Sequence, residues 1–246
     1  MLEHGSQGQA RTTVRAARVY VGTSGFSYAE WKGRFYPDEL PAARMLAYYA
    51  QRFSTVEMNN TFYRMPSAPV LAAWAAAVPD AFRFAIKAPR RITHTRDDDV
   101  EAPVSHLYSV ITALDEHLGP VLFQLPPYAR KDLPRLSRLL ACVPEGQAAA
   151  FEFRHASWLD EDVLALLRAR DCAWCIADVD ERESPLVTTA SWGYLRLRRT
   201  HYDDGALARW AAFLRQQGWP RAFVFFKHEE AGAAPAMAAR LEELLS

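Results

Sequence analysis

Residues 149–180, AAFEFRHASWLDEDVLALLRARDCAWCIADVD, contain a complete strand–helix–strand unit. The runs AAFEFRH (149–155) and AWCIADVD (173–180) are short, apolar and bounded by polar residues, whereas Leu159–Arg170 repeats its apolar positions at helical spacing. Such a unit predicts two parallel strands joined by a helix. Six more β-rich runs extend the alternation: 17–25, 54–60, 82–90, 119–127, 193–200 and 222–230. Helical text fills most gaps, at Pro41–Phe53, Ser67–Val78, Val104–His117, Asp132–Cys142, Gly205–Gln217 and Pro235–Leu245. Pro41 suits a first helical turn, Ser67 is a good N-cap, and Gly119 with Pro120 reads as the stop of a helix ending near Leu118. Eight strands alternating with helices predict a single-domain TIM-type (β/α)8 barrel over residues 17–246, after a flexible N-terminal arm at 1–16. The weak place is 181–192, ERESPLVTTASW, which offers no convincing helix between the sixth and seventh strands. An open doubly wound sheet is the alternative, but GTSGF (22–26) lacks its Gly-rich phosphate turn.

The 246 residues suit one such unit, and half of them are apolar, enough for a large core. The 29 basic and 29 acidic side chains cancel, so no overall field favours nucleic acid or an anionic membrane. Only four bases are lysines: Lys32, Lys87, Lys131 and Lys227. No run approaches the roughly 20 apolar residues of a membrane span, and the first residues lack the apolar segment of a signal peptide, which predicts a cytoplasmic protein. Cys172 and Cys175 have the C-x-x-C spacing but fall in a strand, where residues three apart face opposite ways; they read as core, with no second pair for a zinc site. No Walker A, H-E-x-x-H, EF-hand or G-x-S-x-G pattern occurs, and neither metal nor cofactor is expected.

Side-chain parity carries the functional reading. In a barrel alternate residues face the helices or the interior, and chemistry sits at the C-terminal mouth. If Val56, Met58, Phe84, Ile86, Phe123, Leu125, Phe151, Phe153, Leu195 and Leu197 face the helices, the opposite parity near the strand ends is polar: Glu57, Asn59, Lys87, Gln124, Glu152, Arg154, Tyr194, Arg196 and Arg198. Asp178 and Lys227 are added by position on the sixth and eighth strands. These inward charges comprise five positive and three negative groups, which predicts a pocket for a small anionic or polyhydroxylated ligand unless they form a structural ion-pair net.

Five blocks, GTSGFSYAEWKGRFYP, TVEMNNTFYRMP, FRFAIKAPRRITH, LGPVLFQLPP and FEFRHASW, occur in an order that resembles the domain of unknown function 72 (YecE-like) family. The resemblance implies a TIM-type barrel and no assigned reaction. By motif it points to Ser24, Tyr28 and Trp31; to Glu57, Asn59, Asn60, Phe62 and Tyr63; to Lys87, Arg90 and His94; and to Gln124, Pro126, Glu152, Arg154, His155 and Trp158. This chain departs from the family pattern at Arg196–Arg199 and at Lys227–Glu230.

The expectation is therefore a metal-independent hydrolase or isomerase acting on a small anionic or sugar-like substrate. Glu57, Lys87, Glu152 and Asp178 are its candidate acid–base groups, Lys87 and Arg154 hold negative charge, and Asn59 and Gln124 orient hydroxyls. The alternative is a nucleic-acid-binding protein or repair-type phosphodiesterase, using a basic rim of Arg90, Arg91, His94 and Arg96 after the third strand and Arg196, Arg198 and Arg199 at the end of the seventh, beside aromatic side chains.

Overall fold

The computed structural model describes residues 18–95, 99–180, 185–227 and 233–246; the arm at 1–16 lies outside them. Nine parallel strands form one sheet: β1 (Arg18–Ser24), β2 (Thr55–Met58), β3 (Arg83–Lys87), β4 (Leu118–Gln124), β5 (Ala149–Glu152), β6 (Ala173–Trp174), β7 (Ile176–Asp178), β8 (Gly193–Leu197) and β9 (Arg221–Phe226). Their order is β6-β5-β4-β3-β2-β1-β9-β8-β7. Its two ends, β6 and β7, are halves of the single run 173–178 divided at Cys175, so the sheet curls back on itself into a barrel. The eight runs expected from sequence are thus present, and the open-sheet alternative is excluded.

The helices α1 (Met45–Tyr49), α2 (Ala68–Ala76), α3 (Arg90–Thr93), α4 (Glu101–Ile111), α5 (Leu133–Ala141), α6 (Glu161–Ala169), α7 (Asp204–Gln216) and α8 (Ala233–Leu245) complete the fold. The ten apolar strand residues assigned to the helix side all lie in one core cluster with Leu107, Leu136, Leu167 and Leu214 from the helices. The opposite parity forms a second cluster inside the barrel, including Tyr20, Ala85, Leu122, Ala150, Phe223 and Phe225. Cys172 belongs to the outer cluster and Cys175 to the inner one, as alternation requires, and all three cysteines are free. No helix among the described residues is long and apolar enough to cross a membrane.

Three boundary expectations are corrected. The Pro41–Phe53 text forms a 3-10 turn at Ala42–Arg44 and then only five residues of α-helix. The helix ending near Leu118 gives way at Thr112 to a 3-10 turn, in which Asp115 takes a left-handed φ of 48°. Gly119 and Pro120 are not its stop; they lie in β4, where a Cβ on Gly119 would sit 2.9 Å from the Phe84 carbonyl oxygen beside a register shift in the β3–β4 pairing.

Residues 185–192 contain no helix, and their bonds explain why the barrel still closes. Thr189 Oγ1 accepts from Trp174 N–H at 2.8 Å and donates to the Cys172 carbonyl at 2.7 Å. Ser191 N–H and the Trp192 indole N–H both bond Asp171. The segment therefore serves as a side-chain ladder for the interrupted strand. Residues 181–184 lie outside the described chain.

Candidate functional site

Above the apolar plug of the barrel lies a layer in which Arg196 is the hub. Its Nη2 donates to Glu57 Oε1 at 2.9 Å, and its Nη1 donates to Glu152 Oε2 at 2.5 Å and to Gln124 Oε1 at 3.1 Å. Glu57 also accepts from the Ser24 hydroxyl at 2.6 Å and from the Tyr194 hydroxyl at 2.7 Å. Arg154 Nε donates to Glu152 Oε1 at 2.8 Å, and Arg198 Nη1 stands 3.9 Å from the same oxygen. Glu57, Glu152 and Arg196 are at most 2% exposed. A planar guanidinium with forked donors suits two buried carboxylates, and each carboxylate here has its oxygens filled.

Both acids stay ionised. Burial pushes the Glu152 carboxyl up, but Arg196, Arg154 and Arg198 together outweigh it and hold the group at about 2. At Glu57 burial also opposes ionisation, and Arg196 with the Ser24 and Tyr194 hydroxyls overcomes it. Neither carboxylate therefore carries an exchangeable proton near neutral pH.

Lys87 differs from every group around it. It ends β3 on the interior parity, half-buried, with Nζ 4.3 Å from the centroid of the Phe62 ring. Among the described residues its ammonium has neither a hydrogen bond nor an ion pair. Burial first, and then Arg196, pull its pKa down to about 8 against the opposing pull of Glu57 and Glu152. About a tenth of it is then neutral at pH 7. The backbone beneath is pinned: the buried Thr61 hydroxyl shares its one proton between the Met58 and Lys87 carbonyls, at 2.6 and 2.7 Å. Thr61 was not singled out from sequence, although it stands inside the NNTFY motif. His94 lies with its ring edge-on to Phe62 at 4.9 Å and bonds Thr93 Oγ1 at 2.9 Å. Burial, Lys87 and Arg90 lower its pKa, favouring neutral imidazole.

Of the residues expected at the site, the fold brings together Ser24, Glu57, Lys87, Gln124, Glu152, Arg154, Tyr194 and Arg196, with His94 alongside. Asp178 does not join them. It shares the helix-facing parity of Ile176, and its carboxylate bonds Arg199 Nη2 and the Tyr202 hydroxyl, both at 2.9 Å. It braces the segment after β8 and lines a separate cleft of about 380 Å³ with Trp210. Trp31 is fully buried against Tyr28, Phe35 and Tyr36, so it is core rather than a ligand surface. Tyr28 folds back over Gly25 (φ 91°) and donates to the Ser24 carbonyl at 2.8 Å, fixing the turn that presents Ser24. His155 caps a 3-10 turn by accepting from Ser157 N–H, and Trp158 is buried and donates to the Ala129 carbonyl. Asn59 and Asn60 open the turn that carries Phe62, and Lys227 follows β9, its N–H bonded to the Leu197 carbonyl.

Four cations (Lys87, Arg154, Arg196 and Arg198) thus face two carboxylates, an excess of two positive charges even with Asp178 and Lys227 set aside. The net also has surplus donors: Arg196 Nε, Arg198 Nε and Asn59 Nδ2 are buried with no acceptor among the described residues. Clefts of about 660 and 770 Å³ flank Tyr63, which is 83% exposed; Phe62, beneath Lys87, forms part of the first, with Arg90, Arg91 and His94. Among the described residues no three His, Cys, Asp or Glu side chains are grouped to hold a metal ion.

A nearly closed parallel α/β barrel of TIM type defines the class of this protein. Residues 20–246 match the model of the family described as "Protein of unknown function DUF72", and the chain belongs to that family. It is similar to the UPF0759 protein YunF of Bacillus subtilis (strain 168), at 24% identity covering 92% of this chain and 94% of that protein. Two solved structures share the fold. A DUF72 family protein from Thermotoga maritima MSB8 superposes with a TM-score of 0.76 at 24% identity, covering 93% of this chain and 99% of that one. One from Enterococcus faecalis V583 gives 0.75 at 19%, covering 92% and 95%.

Proposed function

We propose that the mouth of the barrel is the active site of a hydrolase or isomerase for a small anionic or sugar-like substrate, with Lys87 as the proton-carrying group. The single observation behind this reading is a half-buried lysine with no hydrogen bond or ion pair among the described residues, beside carboxylates already occupied by Arg196, Arg154, Ser24 and Tyr194. Glu57 and Glu152 then act as positioning residues that hold Arg196 and Arg154, rather than as acids or bases. Arg154 and Arg198 meet the substrate's negative charge, and Lys87 gives or takes a proton close to its own pKa. The three free cysteines fit the reducing cytoplasm expected from sequence.

Calorimetric titration with inorganic phosphate and with oxalate tests the reading. Saturable binding that Arg154→Gln weakens at least about tenfold is expected, the loss of one charge-assisted contact. Equal affinity in wild type and variant, or no binding to either, refutes it.

A second reading, single-stranded nucleic-acid binding, is favoured by one observation: Tyr63 projects into solvent between clefts lined by Arg64, Arg90 and Arg91, with no carboxylate among their described lining residues. Such binding must weaken steeply with salt.

A further inference from the structure

Lys87 has a second use, because an amine with no hydrogen-bond acceptor among the described residues is a nucleophile as well as a base. Resting on the anion-site reading above, we infer that Lys87 forms a covalent imine with a substrate that carries an aldehyde or ketone next to an anionic group, so that this barrel acts on oxo acids or phosphorylated carbonyl compounds.

The geometry separates Lys87 from the other three lysines. Lys32 is exposed, Lys131 is bound to Asp160 at 2.8 Å, and Lys227 lies past the end of β9. Lys87 alone combines burial with the absence of any hydrogen bond or ion pair among the described residues. Its neighbours explain this lack of partners: the nearby Glu152 and Glu57 oxygens are committed to Arg154, Arg196, Ser24 and Tyr194. Below the ammonium lies the face of Phe62, which tolerates a cation but accepts no proton. Guanidinium groups in turn disfavour its charged form. The same guanidiniums suit the carboxylate or phosphate of the substrate, and they would place a carbonyl carbon beside Nζ. The Thr61 bond to the Lys87 carbonyl fixes the root of the side chain while leaving its tip unconstrained.

The chemistry balances without any redox partner. The neutral Nζ lone pair attacks the carbonyl carbon, and the π electrons move to oxygen, which takes a proton released from nitrogen to give a carbinolamine. The nitrogen lone pair then expels that oxygen, which leaves as water after taking one further proton from solvent. The product is a protonated imine, whose positive nitrogen draws electrons through the imine carbon from the carbon attached to it. Proton loss or carbon–carbon cleavage at that carbon becomes easier, so isomerase and lyase outcomes are favoured over hydrolysis.

Trapping tests this. The full chain is incubated with glyoxylate and cyanoborohydride near pH ~7.5, where a lysine titrating at about 8 has on the order of a hundred times the neutral fraction of an ordinary one. Peptide mass spectrometry then reads the reduced adduct at each lysine, with Lys32 as the internal reference. The expected result is early labelling of Lys87, at least tenfold faster than Lys32, slowed by inorganic phosphate. Lys87→Arg, which keeps the charge but cannot form the imine, loses the fast adduct and still binds phosphate. Labelling of Lys87 no faster than Lys32, in protein that binds phosphate, overturns the imine while leaving the anion site standing. Fast labelling that phosphate does not slow, with propanal as effective as glyoxylate, leaves the nucleophile and removes the anion site, and with it the substrate class inferred here.

Discussion

Arg196 Nη2 lies 2.9 Å from Glu57 Oε1 and so ties β8 to β2, strands that are separated in the sheet by β1 and β9. The bond runs across the barrel interior. Together with the Glu152 contact it joins three parts of the wall through one side chain that is 2% exposed.

Removing that hub leaves the buried Glu57 without its guanidinium and takes from Glu152 one of its two bonded arginines, Arg154 remaining. Arg196→Met is therefore expected to cost about 3–5 kcal/mol. Urea unfolding of variant and wild type measures it; a loss below about 1 kcal/mol contradicts the role given to Arg196.

Acid should undo the same net. The Glu152 carboxyl sits at about 2 in the folded chain, below its ordinary unfolded value near ~4.3, so it contributes stability above that unfolded value, which is lost as pH falls toward 2. Glu152→Gln should flatten the stability profile across this window while lowering the plateau at neutral pH. An unchanged acid limb in the variant speaks against the arginine pairing.

At Lys87 the sign is reversed. Its folded pKa of about 8 lies below the unfolded value of ~10.4, so the charged lysine opposes folding below pH 8 and that penalty fades as pH rises. Lys87→Met should stabilise by roughly 1 kcal/mol at pH 7, with the gain gone near pH ~10. Thermal unfolding at the two pH values decides; destabilisation at pH 7 would mean that Lys87 is a structural ion-pair member.

Asp178 should behave as a brace. Asp178→Asn is expected to cost about 1–3 kcal/mol through its bonds to Arg199 and Tyr202, with phosphate affinity unchanged. Loss of affinity without loss of stability returns Asp178 to the catalytic set.

Tyr63 tests the nucleic-acid reading. Because it is 83% exposed, Tyr63→Ala should change stability by no more than about 0.5 kcal/mol. Any single-stranded oligonucleotide affinity that depends steeply on salt should fall about tenfold or more, the worth of one stacked base. Affinity that neither salt nor the substitution changes removes this alternative.

The barrel was readable from the chain because one physical signal, apolar alternation, encodes strand parity directly. Phe84, Phe123 and Phe151 marked the helix side, and Glu57, Lys87, Gln124, Glu152 and Arg196 followed on the other. At Asp178 the sequence pattern carries no phase, because every residue from Ala173 to Ala177 is apolar, and position alone put it at the mouth; in the fold the alternation runs unbroken from Cys172 to Ala177 and turns Asp178 toward the helices. Trp31 misled for a related reason, since a motif gives identity but not burial. What the sequence could not convey was which charges neutralise which. Glu57 and Glu152 looked like an acid–base pair, and only the long-range placement of Arg196, 139 and 44 residues away, shows them to be occupied. That Lys87 has no partner among the described residues follows from that distribution and has no local signature.

The cation-lined mouth is tested most directly by the titration of Lys87 itself, read by competitive lysine acetylation against pH, with and without inorganic phosphate. The expected result is a midpoint near 8 that phosphate moves upward, because a bound anion favours the ammonium form. A Lys87 that titrates with ordinary lysines near ~10.4, indifferent to phosphate, contradicts both the electropositive site and the role assigned to its amine.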